Sequence, residues 1–509
     1  MLESLGQAFS NFTNPVFIYV LLGGCLSGLL VGIIPAIGGL VGCTLLLAFI
    51  YGVPPEIGMG LLIAFASVTY TGGSITTILL SIPGTPVNAA TLIDGFPMTR
   101  NGEGGRALGA ALTSSGMGGI VGGLLTILAI PLVTPIVMSI KTSEMFLLVL
   151  LGLSFLAVLG RGSMVKGLIS GMLGLLFSLI GFQAATGNPR FTFGSLYLMD
   201  GIDIVPVLLG LFAISELIEL YLKGVSRISD TAPVKGFGQI LEGVKDVFRH
   251  FWLWLRSTVI GYLIGVIPGV GGETAIFVAY GIAKQTSRNR DKFGKGCVEG
   301  VIAPEAANNS KESGALLTTL VLGIPGGALM AVILAGLLIV GVTPGPKMVG
   351  ENLDLTLTLI MIIITSNLIG CLVALLASPW LVKVARIPMN ALLPMVLIAV
   401  LTGAYVRGES LWNFAVLICL GILGFFMKKF GYSRPALALG FVLGSLAELY
   451  LMHAIQLHGR LFFLTPGSLT IIALIIILPL LPYIRKVTAP LYRRLFSKGG
   501  EEARGEVRS

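Results

Sequence analysis

Long apolar runs without any charge dominate the pattern of this chain. Six stretches contain no Asp, Glu, Lys or Arg: residues 4–55, 57–93, 107–140, 313–346, 355–382 and 461–484. A membrane-spanning helix needs about 20 consecutive apolar residues, so these runs predict a polytopic membrane protein with roughly a dozen transmembrane helices. The runs are continuous, whereas the strands of a transmembrane β-barrel alternate apolar and polar residues. We therefore predict an all-α polytopic bundle.

The chain also contains an internal repeat. The segment GLLVGIIPAIGG at 28–39 matches GYLIGVIPGVGG at 261–272 in seven of twelve positions. Further along, SITTILLSIPG at 74–84 matches LLTTLVLGIPG at 316–326 in six of eleven positions. The offsets are 233 and 242 residues, and the order of the two motifs is kept. Two ordered matches predict a duplicated architecture.

The repeat divides the chain into two homologous halves, 1–222 and 251–484, with a basic cytoplasmic linker at 223–250 and a basic cytoplasmic tail at 485–509. Inverted repeats are common in secondary transporters, where paired Gly/Pro-interrupted segments mark the substrate site. We therefore predict inverted halves with Pro/Gly-broken or re-entrant helices. Counting spans leaves a parallel arrangement open, because re-entrant segments do not cross the bilayer.

Composition and charge agree with a membrane location. Hydrophobic residues make up 55% of the chain and charged residues only 11%, whereas about 25% charged residues is usual in soluble domains. The net charge of +9 is concentrated in a few short polar stretches. The positive-inside rule places such stretches in the cytoplasm, so the charge indicates topology rather than a nucleic-acid partner.

Catalytic and metal-binding signatures are missing from the sequence. It contains no HExxH motif and no GxxxxGK[ST] motif. The three histidines and the five scattered cysteines do not have the spacing of metal ligands. We predict a protein that is not an enzyme, has no cofactor and takes its energy from an ion gradient or a partner.

Two proline-glycine elements interrupt predicted spans. Pro35 precedes Gly38, and Pro268 precedes Gly269 and Gly271. Proline removes a backbone donor and glycine permits unusual conformations, so each helix is expected to break there. A broken helix at membrane depth must be buried in protein or line a cavity, and its free N-terminus attracts an anion. A simple kink is the alternative for one such element, but the duplication favours a binding site.

A second pair of elements is predicted to form helix ends or hairpin tips. One is SIPGTPVN at 81–88 and the other is GIPGG at 323–327. The threonine pairs upstream of them either face a polar path or serve helix packing, as small hydroxylated residues also do. The candidate binding residues in these elements are Thr76, Thr77, Pro83, Gly84, Thr85, Asn88, Thr318, Thr319, Pro325 and Gly326.

A polar cluster precedes the second of these tips, in the segment APEAANNSKES at 303–313. If a helix begins at Pro304, its glutamates and asparagines share one face. The lysine either neutralises the adjacent glutamate or meets a substrate carboxylate. Ionisable groups in a membrane segment indicate an ion or substrate pathway, whereas in a loop they are merely solvated. The candidates are Glu305, Asn308, Asn309, Ser310, Lys311 and Glu312, with weaker ones at Glu273 and Asp94.

These motifs closely resemble those of the large permease subunit of the tripartite tricarboxylate transporters. The resemblance covers both motifs of each half and the polar cluster, strongly over about 28–346 and in general layout to 483. It implies a secondary transporter of the cell inner membrane that imports a tricarboxylate or related carboxylate with sodium or protons as coupling ion. It also implies two partners, an extracytoplasmic solute-binding protein and a small four-span membrane subunit.

By this resemblance, the two proline-glycine elements and the segment 305–310 form the substrate and ion region. The ion-coupling candidates are Glu305, Glu312 and Glu273, and the other candidates named above, except Asp94, are assigned to the carboxylate substrate. The alternative function is a membrane channel or scaffold whose Gly/Pro breaks are architectural. That alternative predicts a flux that does not saturate and needs no binding protein.

Overall fold

The computed structural model describes residues 1–34, 38–159, 163–183, 186–223, 236–269, 272–384, 389–406 and 409–477. This part of the chain is helical apart from turns and one two-stranded antiparallel ribbon, β1 (Gly181–Phe182) with β2 (Pro189–Arg190). The predicted all-α fold is therefore confirmed. Short 3₁₀ turns occupy Leu47–Phe49, Pro86–Asn88, Arg290–Lys292, Pro346–Val349 and Gly459–Leu464.

The helices follow one another in this order: α1 (Leu2–Asn11), α2 (Pro15–Ile33), α3 (Gly38–Leu46), α4 (Pro55–Leu80), α5 (Ala89–Arg100), α6 (Gly104–Met138), α7 (Thr142–Leu159), α8 (Met164–Ser178), α9 (Leu196–Met199), α10 (Ile204–Leu208), α11 (Ser215–Lys223), α12 (Phe237–Arg249), α13 (Phe251–Val266), α14 (Gly272–Thr286), α15 (Glu299–Leu322), α16 (Ala328–Ile339), α17 (Leu353–Val384), α18 (Met389–Val406), α19 (Trp412–Lys429), α20 (Arg434–His458) and α21 (Pro466–Ile477). A π-helical segment, Leu209–Ile214, joins α10 and α11 into one helix.

Seven of the described helices are long and apolar enough to cross a membrane by length and composition. The 35-residue α6 shows how such a helix is divided between protein and lipid. Its glycines at 118, 119, 122 and 123 are buried, whereas Leu124, Leu128, Leu132 and Ile136 are 48%, 68%, 76% and 66% exposed. These four recur at every fourth residue, so they form one apolar stripe that suits lipid.

The helices α2 and α3, which flank the first proline-glycine element, pack against α4 as the two arms of a helical hairpin. A Cβ at Gly32 would lie 2.1 Å from the Thr69 carbonyl oxygen, and a Cβ at Gly39 would lie 2.4 Å from Thr69 Cγ2. Both arms of the hairpin therefore pass the same residue of α4 in opposite directions. The same relation recurs one turn away, at Gly28, Gly42 and Phe65.

A second hairpin, formed by α13 and α14, packs on α15 in the same way. A Cβ at Gly265 would lie 2.1 Å from the Lys311 carbonyl oxygen, and one at Gly272 would lie 2.5 Å from Lys311 Nζ. One turn earlier, a Cβ at Gly261 would lie 2.5 Å from Ala307 Cα. Glycine is required at Gly261 and Gly265 because the backbones approach too closely there for any side chain, whereas at Gly272 the nearest atoms belong to the end of the Lys311 side chain.

The central helices α4 and α15 both end in a left-handed residue. Ser81 has φ of 59° and Gly323 has φ of 67°. After each end the chain folds back onto its own helix, and the same kind of glycine contact holds it there. A Cβ at Gly84 would lie 2.5 Å from Gly73 Cα, and one at Gly326 would lie 2.7 Å from Ala315 Cβ.

These contacts recur at the offsets of the sequence repeat, 233 residues between the hairpins and 242 residues between the helices that they pack on. The helices α4 and α15 run antiparallel, because Glu305 meets Ser74 whereas Asn309, one turn later, meets Thr71 and the Ser67 carbonyl. The two hairpins consequently enter from opposite ends of this pair. The division into inverted homologous halves stays a prediction, and these contacts support it.

The segment predicted as a linker contains a helix, α12, that crosses α6 closely. A Cβ at Gly109 would lie 2.0 Å from the Ile240 carbonyl oxygen, and Arg106 Nε donates a hydrogen bond of 2.6 Å to Asp246 Oδ2. Residues 224–235 of the linker and the tail at 485–509 lie outside the described part of the chain.

The glycine packing of the first hairpin gives a stability prediction with a matched control in α2. We expect Gly32→Ala to destabilise the protein by about 1–3 kcal/mol, because overpacking a close helix contact costs that much. Gly23→Ala in the same helix is expected to be neutral or slightly stabilising, because nothing lies within 4 Å of a Cβ there. Thermal unfolding of the purified proteins in detergent measures both, and equal midpoints would contradict the packing described here.

Candidate functional site

A cavity of about 1410 Å³ lies where the two hairpins meet the two chain reversals. Its lining contains residues from the tips of both hairpins and from the segments after α4 and α15. A wall formed by α11, the end of α19 and the start of α20 completes the cavity. The lining residues used below are Gly38, Tyr70, Thr85, Pro86, Glu216, Glu219, Gly272, Lys311, Glu312, Gly326, Ala328, Lys428 and Arg434.

Several helices begin at this cavity. The first residues of α3, α14 and α16 line it, as does the 3₁₀ turn that leads into α5. The first turn of a helix has backbone N–H groups without intrahelical partners and carries a partial positive charge. The convergence of these N-termini makes the cavity favourable for an anion. The residues concerned are Gly38, Pro86, Gly272 and Ala328.

Lys311 brings a full positive charge to the same place. Its side chain is only 3% exposed, and its Nζ donates a hydrogen bond to Glu312 Oε1. The ammonium also lies 4.5 Å from the centroid of the Tyr70 ring, within the range of a cation–π contact. Gly272, at the N-terminus of α14, has no side chain to keep the ammonium away. The cation and the helix dipole therefore act together on any bound carboxylate.

Glu305 lies deeper, fully buried, between α4, α5 and α15. Its Oε1 accepts hydrogen bonds from Ser74 Oγ at 2.8 Å and from Thr91 Oγ1 at 2.6 Å. Among the described residues no cation pairs with Glu305, and its Oε2 accepts no hydrogen bond. A buried carboxylate without a cation is costly unless it binds a proton or a cation.

A chain of hydrogen bonds leads from the cavity to this carboxylate. Thr85, which lines the cavity, donates to Asn88 Oδ1 at 2.7 Å. Asn88 Nδ2 in turn donates to Ser74 Oγ at 2.9 Å, and Ser74 donates to Glu305. Asn88 also holds the reversal onto α4 through a bond of 3.1 Å to the Tyr70 carbonyl oxygen. Three successive hydrogen bonds thus link Thr85 at the cavity to the buried carboxylate of Glu305.

Asn309 joins three helices where α15 crosses α4 and α17. Its Nδ2 lies 2.9 Å from Thr71 Oγ1, 2.6 Å from Asn367 Oδ1 and 3.3 Å from the Ser67 carbonyl oxygen. The adjacent Asn308 is fully buried, and neither of its amide atoms has a partner among the described residues. Both asparagines lie inside the bundle rather than on the cavity wall.

Comparison with known proteins decides the family. Residues 18–439 match the family model described as the tripartite tricarboxylate transporter TctA family. The chain belongs to the TctA family. It is 32% identical over 493 residues to an uncharacterized 52.8 kDa protein in the TAR-I ttuC' 3' region of Agrobacterium vitis, a match that covers 95% of this chain and 97% of that protein.

A second relative is an uncharacterized protein in the TAR-II ttuC' 3' region of Agrobacterium vitis. It is 34% identical over 232 residues, which cover 44% of this chain and 96% of the relative. No solved structure matches the chain. The TctA family is a family of tripartite tricarboxylate transporters, and this chain belongs to it. Together with its apolar helices, this identifies the chain as a multi-pass membrane protein.

Part of the predicted site of this TctA-family protein lines the cavity. Gly38, Pro83, Gly84, Thr85, Gly269, Lys311, Glu312 and Gly326 are lining residues. Pro268 and Pro325 are described but are not among them. Pro35 and Gly271 lie outside the described residues, as does the side chain of Glu273.

The hydroxyls of the two threonine pairs bond to carbonyl oxygens of their own helices. Thr76 and Thr77 donate to the Gly73 carbonyl oxygen at 3.1 and 2.7 Å, and Thr318 and Thr319 donate to the Ala315 carbonyl oxygen at 3.1 and 2.6 Å. Ser310, by contrast, donates to a neighbouring helix, to the Thr258 carbonyl oxygen of α13 at 2.9 Å. None of these five residues is among the described lining of the cavity.

Pro304 does not begin the helix of the polar cluster. The helix α15 starts at Glu299, so Pro304 lies inside it. The loop before α15 is fixed by Asp94, whose Oδ1 accepts backbone N–H bonds of 2.8 to 3.0 Å from Gly294, Gly296 and Cys297. This anchoring lets the helix start early, and proline near its N-terminus removes a single helical hydrogen bond. The cluster is buried in a helix rather than solvated in a loop.

Several residues of the site were not predicted from the sequence. Tyr70, Glu216, Glu219, Lys428 and Arg434 line the cavity. A charged residue in or beside an apolar helix was the available signal for four of them. Asn367, the partner of Asn309, was also not predicted. The available signal for it was an amide side chain inside an otherwise apolar run.

The crossing at Asn309 gives a prediction on coupled stability. We expect Asn309→Ala and Asn367→Ala each to destabilise the protein by about 1–3 kcal/mol, because each leaves buried polar groups unpaired. The double variant is expected to cost less than the sum by about 0.5 kcal/mol or more, because the two amides share one hydrogen bond. Thermal unfolding in detergent gives the three differences, and strict additivity would show that the amides do not interact.

Proposed function

We propose that this protein is the large permease subunit of a binding-protein-dependent secondary transporter in the cell inner membrane. In this proposal it imports a tricarboxylate or related carboxylate, driven by a sodium or proton gradient. An extracytoplasmic solute-binding protein delivers the substrate, and a small four-span membrane subunit completes the complex. Family membership supports the tripartite organisation.

The observation that carries the proposal is the convergence of helix N-termini and Lys311 on one cavity. Carboxylates are bound well by oriented backbone N–H groups and by a buried ammonium. The hairpins that form the cavity enter from opposite ends of the α4–α15 pair, as expected for a site that is reached alternately from the two sides of a membrane.

The pairing of Lys311 with Glu312 supplies a physical reason for ion coupling. When a substrate carboxylate pairs with the Lys311 ammonium, Glu312 is left without its cation in a buried position. Removing one partner of a buried ion pair costs about 3–5 kcal/mol, because the other charge is left buried and unpaired. Binding of the anion therefore favours uptake of a sodium ion or a proton at Glu312. Glu305, linked to the cavity through Thr85, is a second candidate for the same role.

We expect Lys311→Met to lower uptake of citrate at least about tenfold, because it removes a charge-assisted hydrogen bond from the site. The control is Lys347→Met, because Lys347 is 64% exposed and pairs only with the exposed Glu351 among the described residues. Uptake of radiolabelled citrate into proteoliposomes with the small subunit and the binding protein measures the effect.

Full uptake by the Lys311→Met variant would contradict the site. A flux that does not saturate with citrate, and that is unchanged when the binding protein is omitted, would contradict the carrier itself and favour a channel.

A further inference from the structure

A second charged group lies on the wall of the cavity formed by α11, α19 and α20. Lys428 Nζ is 2.9 Å from Glu216 Oε2, and Arg434 Nη2 is 2.8 Å from Glu216 Oε1. Lys428 also pairs with Glu219. All four side chains line the cavity. With Lys311, the two basic residues are the cations that line the cavity within the described part of the chain.

The position of Arg434 favours an anion rather than helix stability. It is the first residue of α20, whose N-cap Ser433 accepts a hydrogen bond of 3.2 Å from the Ala436 N–H. A cation at a helix N-terminus is repelled by the helix dipole, so Arg434 gains from an anion placed there. In this structure Glu216 supplies that anion from the neighbouring helix.

The guanidinium is also held in place for such a role. Arg434 Nη1 donates to Ser215 Oγ at 2.6 Å, and its Cζ lies 5.9 Å from the centroid of the Phe212 ring. Arg434 is 14% exposed and Lys428 is 40% exposed, so both remain reachable from the cavity. A fixed guanidinium with an adjacent ammonium is a suitable receptor for a carboxylate.

We propose that Lys428 and Arg434 form a second carboxylate subsite, which holds an additional carboxylate group of a substrate with two or three such groups. Glu216 and Glu219 occupy this subsite as internal substitutes when substrate is absent. The inference rests on the proposed function, because it takes the first carboxylate to lie at Lys311. With two such positions, the cavity would distinguish substrates by the number of their carboxylate groups.

Two variants separate this proposal from a merely structural ion pair. Arg434→Gln removes a cation from the subsite, whereas Glu216→Gln removes the carboxylate that pairs with Arg434 and leaves this guanidinium without a competing anion. A subsite predicts opposite effects on affinity, weaker binding in the first variant and tighter binding in the second. An ion pair that only stabilises the packing of α11 on α19 and α20 predicts lower stability in both and the same relative affinity for all carboxylates.

The experiment is isothermal titration calorimetry on the purified full chain in detergent with two probes. Tricarballylate has three carboxylate groups and butyrate has one. We expect Arg434→Gln to weaken binding of tricarballylate about tenfold and to leave binding of butyrate unchanged, because a single charge-assisted bond is lost. We expect Glu216→Gln to tighten binding of tricarballylate severalfold. Lys347→Gln serves as the control, because Lys347 is in an exposed ion pair and does not line the cavity.

Equal weakening for both probes, or weaker tricarballylate binding in Glu216→Gln, would overturn the subsite. If Arg434→Gln fails to fold, Lys428→Gln tests the same cationic subsite with the same expectation. Lys311→Met separates the proposed function from the proposed subsite, because this variant is expected to lose binding of both probes. Retained binding in Lys311→Met would overturn the proposed function, whereas lost binding there with unchanged selectivity in Arg434→Gln would overturn only the subsite.

Discussion

The contact on which this structure depends is the packing of two glycine-lined hairpins against α4 and α15. Inside a bilayer the polar groups of the backbone must be satisfied within the protein, and a helix can break only where it is buried or lines a cavity. Gly32 and Gly39 meet this condition at Thr69, and Gly265 and Gly272 meet it at Lys311. Because both arms of each hairpin lie directly on a central helix, the broken ends stay in the protein and face the cavity.

The two hairpins supply similar geometry, but the chemistry of the site is unequal. By the offset of 242 residues, Thr69 of α4 corresponds to Lys311 of α15, and Tyr70 corresponds to Glu312. The ammonium of the second half rests on the ring of Tyr70 in the first half. One half therefore provides the ion pair and the other an uncharged surface beside it. The Lys311–Glu312 pair therefore lies beside the N-terminus of α14 on one side of the cavity only.

Much of the fold was predictable, because apolar runs and repeated Pro-Gly motifs are local properties of the sequence. The packing of both hairpin arms on a central helix was left open, since a span and half of a hairpin have the same apolar pattern. Helical periodicity placed Glu305, Asn309 and Glu312 on one face of a helix. In the structure, the crossing of α15 with α4 and α17 buries Asn309, whereas Glu312 lines the cavity. Lys428 and Arg434 lie over 200 residues from Glu216, so only the tertiary structure brings them together.

We propose that an anionic substrate binds among the helix N-termini beside Lys311. A cryo-electron microscopy structure of the protein with citrate tests it most directly. We expect density for citrate between the N-termini of α3 and α14, within hydrogen-bonding distance of Lys311 Nζ. Citrate density outside this cavity, with the Lys311–Glu312 pair unchanged, would contradict it.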